Sequence, residues 1–283
     1  MTGPSTTTRL AAWPFDVRPG QVPANLDQAR EGLERARTAG ARLLLLPEKW
    51  TTSFLPAYDE AVLRASEEAL ELLHREAAAA GLLVAGSAPG PSGGRRPWNE
   101  FHLLGGPALL RPYRKRFLFS PTGEGRQCRP GEDPPRLFPG PAGLERAGAV
   151  VCYDLRFPEA VRPLFYAGLE LLLVPAQWPV PRAQAFELLV RARALENQCF
   201  VLACNRSGRA SLGGERVLDF PGTALLAGPA GELRARSREG AFLLAEADPG
   251  QLREARRKIP CLRDLRRAFP GLGESRAATG PMG

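Results

Sequence analysis

The residue whose type and setting most suggest chemistry is Cys152, in the stretch AGAVVCYDLRFPEA at 147–160. An apolar run, Ala149 to Val151, leads into the cysteine, and the polar sequence Tyr153-Asp154-Leu155-Arg156 follows at once. That is the pattern of a strand end rather than of a thiol packed in mid-strand. A thiol there can act as a nucleophile, but a free cysteine titrates near pH ~8.5 and is only a few per cent thiolate at neutrality. It therefore needs a proton acceptor or a nearby cation. Histidine is the usual partner, and the chain has two, His74 beside Leu73 in a helical pattern and His102 after Phe101 in a strand-like run. Packing or solvation explains both.

Two further strand ends carry candidate groups. ARLLLLPEKW places Glu48 directly after Pro47, and LLRPYRKRFLF carries Lys115. Taken singly, each has an ordinary reading: a solvated loop carboxylate, a surface cation, a half-buried inert thiol. Lys115 is nevertheless unusual, because the 38 basic residues include three lysines only, Lys49, Lys115 and Lys258. A lysine where arginine is the local default invites a chemical explanation, since it is a compact point charge and proton donor. In the loop PTGEGRQCRPGED lie Glu124 and Glu132, and Glu124, nine residues beyond Lys115, can return to pair with it. Cys199 and Cys204 fall in an apolar strand and read as core.

The elements that must position these groups alternate. Strands are expected near 8–13, 42–46, 82–87, 100–104, 148–152, 171–174, 200–204, 222–227 and 241–246, and helices near 23–38, 58–80, 157–168, 181–198 and 249–267. A β/α order of this kind gives layered sheets covered by helices. In such α/β architectures ligands sit at the carboxyl ends of strands, so Glu48, Lys115 and Cys152 can converge. The Gly/Pro-rich stretches 86–97 and 120–143 read as loops, and 270–283 as a flexible tail following a single domain over 1–269.

Together, LLLLPE, YRKRFLF and VVCYDLRFPE resemble the Glu-Lys-Cys set of the nitrilase superfamily of carbon-nitrogen hydrolases. The likeness continues through ANLDQAREGLERARTAGARLLLLPE, RARALENQCFVLACNRSG and REARRKIPCLRDLRR, nearly the whole chain. CYDLRFPE is more similar to the amidase branches than to true nitrilases, where Trp-Glu commonly follows the cysteine. AQWPVPRAQAFELL with RARALENQ resembles the omega-amidases, which hydrolyse the terminal amide of 2-oxo dicarboxylic acid monoamides such as 2-oxoglutaramate. One departure is AAWPFDVRPG, where many members carry a glutamine after the first strand, and another is the basic RKRF around the lysine.

The resemblance implies a four-layer α/β/β/α sandwich that pairs into homodimers or higher homo-oligomers through helices near the cysteine. It implies that Cys152 is the nucleophile, Glu48 the general base and acid, and Lys115 the oxyanion partner together with the backbone N–H of Tyr153. Glu124 matches a second glutamate of the family and would fix Lys115 or the substrate amide. Arg156, Arg182 and Trp178 are candidates for binding an acidic amide. Neither a cofactor nor a metal is required. The alternatives are a nitrilase, an N-carbamoyl amino acid hydrolase, another amidase of the superfamily, or a catalytically silent binding protein with the same fold.

Composition narrows the remaining classes. At 283 residues and 44% hydrophobic the chain can bury a sizeable core. Its longest apolar runs, LLLLP and LELLLVP, fall far short of the roughly 18 residues of a membrane span. The start lacks a basic and apolar leader, so a cytoplasmic protein is expected. Five cysteines with no CxxC pair indicate neither a disulfide framework nor a zinc site. The net charge of +8 is spread among acidic residues without an aromatic-interleaved basic stripe, which argues against nucleic acid as partner. A small-molecule amide is the expected substrate.

Overall fold

A computed structural model describes residues 7–270, apart from 95, 108, 109, 214 and 215. The first half runs β1 (Thr8–Ala12), α1 (Val22–Thr38), β2 (Leu43–Leu45), α2 (Glu60–Ala79), β3 (Leu83–Gly90), β4 (Trp98–Leu104) and β5 (Tyr113–Arg114). A short helix α3 (Glu124–Gln127) leads to β6 (Phe138–Pro139), β7 (Arg146–Ala149), α4 (Pro158–Tyr166), β8 (Leu171–Ala176), α5 (Ala183–Asn197) and β9 (Phe200–Asn205). The hairpin β10 (Ser207–Ser211) and β11 (Val217–Pro221) follows, then β12 (Ala224–Ala227), β13 (Leu233–Ser237), β14 (Leu243–Ala247), α6 (Pro249–Lys258) and α7 (Cys261–Ala268).

Two six-stranded sheets result, ordered β14-β1-β2-β3-β4-β5 and β13-β12-β9-β8-β7-β6. Each has three central parallel strands, β1-β2-β3 in one and β7-β8-β9 in the other, flanked by antiparallel neighbours. Side-chain alternation along β1 and β2 explains the layering. Leu10, Ala12, Leu43 and Leu45 face the second sheet in one core, whereas Ala11, Leu44 and Leu46 pack with Leu26, Leu33 and Leu73 of α1 and α2 in another. On the far side, Leu164 of α4 and Val190 of α5 join the core of the second sheet. Each such leucine is buried, worth about 1.5–3 kcal/mol. The fold is the expected four-layer α/β/β/α sandwich. No helix among the described residues is long and apolar enough to cross a membrane.

The structure departs from the expected elements in a few places. The strand expected over 148–152 ends at Ala149, and Cys152 opens one turn of 3-10 helix, Cys152–Arg156. The stretch 120–143 is not all loop, since Glu124 starts α3. β3 extends to Gly90, into the expected loop over 86–97. The helix expected over 249–267 is two helices broken at Pro260, whose ring cannot continue the hydrogen-bond ladder. The tail lies outside the described residues after Pro270.

Candidate active site

Five strand ends deliver the site. The chain leaving β2 turns sharply at Glu48 to Ser53, with Lys49 and Ser53 at φ +46° and +57°. Lys49 N–H donates to Ser87 Oγ at 2.9 Å and Trp50 N–H to the Ser87 carbonyl at 2.9 Å, which docks the turn on β3. Gly86 makes this possible, because a Cβ there would meet Trp50 Cδ1 at 2.8 Å and Leu46 Cβ at 3.1 Å. Beyond β5, Lys115 N–H donates to the Asn99 carbonyl at 2.9 Å.

Cys152 follows β7 at φ +50°, a conformation costly for any residue with a Cβ and typical of functional turns. Asp154 holds that turn. Its Oδ2 accepts from Val151 N–H at 3.0 Å and from Tyr113 Oη at 2.9 Å, and its Oδ1 accepts from Phe117 N–H at 2.9 Å. One carboxylate thus ties the cysteine turn to the segment bearing Lys115. Burial pushes the Asp154 carboxyl up to about 6, against the pull of Phe117 N–H and Lys115.

Glu48, Lys115 and Glu124 are fully buried together. Lys115 Nζ donates to Glu48 Oε1 at 2.8 Å and to Glu124 at 2.8 and 3.1 Å, and Phe119 N–H donates to Glu124 Oε2 at 2.7 Å. Asn99 Nδ2 also donates to Glu48 Oε1 at 2.8 Å. Glu48 Oε2, by contrast, is buried without a hydrogen-bond donor. Burial would discharge Lys115, but the fields of Glu124, Glu48 and Cys152 outweigh it and hold the ammonium charged. The Cys152 thiol is driven well above its usual range, by burial first and then by Glu48, while Lys115 and the backbone N–H of Gln177 pull the other way. At rest the Cys152 side chain is therefore held as a neutral thiol.

These groups open on a narrow pocket whose walls include Phe54, Phe119, Tyr153, Trp178 and Leu212. Glu48, Lys115 and Cys152 line it, as do Arg156 and Arg182, while Glu124 stands behind Lys115. The Arg156 guanidinium lies 4.8 Å from the Trp178 ring centroid and that of Arg182 4.8 Å from the Phe119 ring. No carboxylate among the described residues forms an ion pair with either arginine. Glu132 is exposed. His74 Nδ1 accepts from Gly105 N–H, His102 is half-buried with its pKa lowered by desolvation to about 4, and neither touches the pocket. Among the described residues no group of His, Cys, Asp and Glu could hold a metal ion.

Sequence reasoning missed three residues that complete the site. Asn99 braces Glu48 from β4. Gln177, just past β8, donates from Nε2 to the Glu48 carbonyl at 2.7 Å and accepts from Arg206 Nη1 at 3.2 Å. Lys49 is the third, and the scarcity of lysine was the signal that could have found it.

Known proteins share this sequence pattern and fold. The family model for carbon-nitrogen hydrolases matches residues 9–257. The 2-oxoglutaramate amidase of Bacillus subtilis is 30% identical over 89% of this chain and 95% of its own length. An omega-amidase of Escherichia coli K12 is 31% identical over 86% of this chain and 90% of its own. The amidase from Nesterenkonia sp. AN1, in a mutant carrying the acetamide moiety of fluoroacetamide covalently added at its active site cysteine, superposes with a TM-score of 0.78. It is 27% identical and covers 95% of this chain and 99% of its own. The chain belongs to the carbon-nitrogen hydrolase family. It is an amidase of that family.

Proposed function

We propose that this enzyme hydrolyses the terminal amide of 2-oxo dicarboxylic acid monoamides such as 2-oxoglutaramate, through a thioester on Cys152. The observation that carries the mechanism is the asymmetry of Glu48: one oxygen is occupied by Lys115 and Asn99, and the other is buried and unpaired in the pocket that holds the thiol. That oxygen takes the Cys152 proton as Sγ attacks the amide carbon, since a neutral thiol must lose its proton during attack. Lys115 gives one N–H to Glu48 and shares a second between the two oxygens of Glu124, and its third N–H, with the backbone N–H of Tyr153, meets the oxyanion. Glu48 then passes the proton to the departing nitrogen, ammonia leaves, and the acyl group stays on sulfur. Water, deprotonated by Glu48, attacks the thioester; the thiol is reprotonated and the carboxylic acid departs. Glu124 keeps Lys115 in place throughout.

The substrate class rests on the two pocket arginines without carboxylate partners and on the names of the full-length relatives. Two stacked guanidiniums suit a small molecule with a carboxylate beyond its reacting amide. The test is ammonia release from 2-oxoglutaramate, 2-oxosuccinamate, glutamine, a simple aliphatic amide, a nitrile and an N-carbamoyl amino acid. The oxo-acid amides are expected to be turned over best. Arg156→Gln or Arg182→Gln should raise KM for 2-oxoglutaramate on the order of 10-fold, the loss expected of a charged hydrogen bond, and leave KM for the aliphatic amide unchanged. Preference for the nitrile or the carbamoyl compound would refute the substrate assignment.

The proposed working form is a cytoplasmic homodimer whose catalytic unit spans 1–269. Leu188 and Leu195, seven residues apart on one face of α5, are 65% and 56% exposed, an apolar face suited to a second copy. Light scattering should give twice the chain mass; a monomer at micromolar concentration would contradict it.

A further inference from the structure

Lys49, the residue after the proposed base, is fully buried, yet no carboxylate among the described residues lies within ion-pair distance of it. Its Nζ donates instead to Tyr58 Oη at 2.7 Å and to Cys128 Sγ at 2.9 Å. An ammonium group so deeply buried is costly unless its charge is offset nearby. The offset is visible in the charges of the site. Glu48 and Glu124 are two carboxylates sharing one directly bonded cation, Lys115, and Lys49 is a second buried cation whose field reaches Glu124.

Three connections link Lys49 to the reacting groups. Its backbone continues that of Glu48. Its Sγ contact is with Cys128, the C-cap of α3, whose first residue is Glu124 and whose N–H donates to the Glu124 carbonyl at 2.9 Å. And one aromatic ring, Phe54 of the pocket wall, has Lys49 Nζ 4.3 Å and Lys115 Nζ 5.9 Å from its centroid. We propose that Lys49 is a positioning residue of the amidase reaction: the second cation of the site, whose charge holds Glu124 on Lys115 and so leaves Glu48 Oε2 free for the thiol proton.

The electrostatics around Glu124 run in the same direction. Burial pushes its carboxyl up, but Lys115 and then Lys49 outweigh burial and hold it below the usual range. The other groups near it are Glu48, Asn99, the Cys128 thiol and Phe119 N–H. Glu124 is ionised above its depressed pKa and loses its charge as pH falls through it. Without Lys49 that pKa rises, so Glu124 lets go of Lys115 at a higher pH.

The test compares Lys49→Gln, Lys49→Met and Cys128→Ala with the wild type across pH. One readout is ammonia release; the other is the rate at which iodoacetamide alkylates Cys152, followed by peptide mass, which is independent of the preferred amide. Both Lys49 variants should lose on the order of 10- to 100-fold in kcat, as for partners that orient a reacting group. Their KM should stay within about threefold, because the lost contact is not to substrate. In both readouts the acid limb should move up by about one pH unit, the effect of a nearby charge on a carboxylate. Glutamine keeps a donor for Tyr58 and Cys128 but no charge, so a wild-type acid limb in Lys49→Gln would overturn the proposal. Cys128→Ala keeps the charge and should keep the wild-type limb; an equal shift there would assign the effect to packing and overturn it too. Should Lys49→Met not fold, the other two variants decide. Inactivity of the wild type on the chosen amide would count against the substrate assignment and leave the alkylation profile to judge Lys49.

Discussion

Cys152→Ala is expected to abolish turnover, lowering kcat by at least about 10⁴-fold, as when a covalent nucleophile is removed from a catalytic unit. The size of the loss follows from the absence of a substitute. Of the other four thiols, Cys128, Cys199 and Cys204 are buried, and Cys261 lies on α7. None lines the pocket. Burial pushes Cys199 up to about 12 and raises Cys204 and Cys128, as it does Cys152, but none of these three shares the pocket with Glu48. The fold should survive, because alanine keeps the Cβ and removes one buried atom, and Asp154 still holds the turn. Ammonia release and a thermal melt on the same preparation check both halves. Activity within about 100-fold of wild type would remove Cys152 from the mechanism.

Glu48→Gln should cost about 10²–10⁴-fold in kcat, the range for loss of a general acid–base group, with little effect on the fold. The geometry makes this substitution informative. Its Oε1 is fixed by two donors, Lys115 Nζ and Asn99 Nδ2, so glutamine must turn its carbonyl toward them and its NH₂ toward the thiol. At the oxygen that should take the proton, the variant therefore presents a donor. Lys115 stays paired through Glu124, which limits the structural damage. Steady-state kcat with a native melting curve checks this. A variant losing less than about tenfold would show that the proton goes elsewhere.

Glu48, Lys115 and Cys152 were legible because each is a reactive residue type at a strand end, and parallel strands carry such ends to one place. Asn99 and Gln177 were not. Amides occur throughout a chain, and what distinguishes these two is the partner they meet across the fold, which spacing along the sequence does not encode. Lys49 lies between these cases. The scarcity argument that singled out Lys115 applies equally to it, since two of the three lysines are buried at the site and Lys258 pairs with Glu254 on the surface.

The same contrast runs through the elements. Leucine-rich β2 and β8 and amphipathic α1 and α2 were readable because their periodicity reports the layer they face. The hairpin β10–β11, with SGRAS in one strand and VLDFP in the other, is half polar, and α3 is one turn long; neither gives a periodic signal. The break between α6 and α7 had a local signal in Pro260, overridden by the continuous arginine-rich helical pattern around it.

The proposed mechanism stands on the thioester at Cys152. Wild-type enzyme mixed with excess 2-oxoglutaramate, quenched in acid within the first turnovers and digested for peptide mass analysis, tests it directly. An acyl mass is expected on the Cys152 peptide, forming with a burst of ammonia and disappearing as substrate runs out. Ammonia released with no acylated peptide, or with the acyl group on another cysteine, would contradict it.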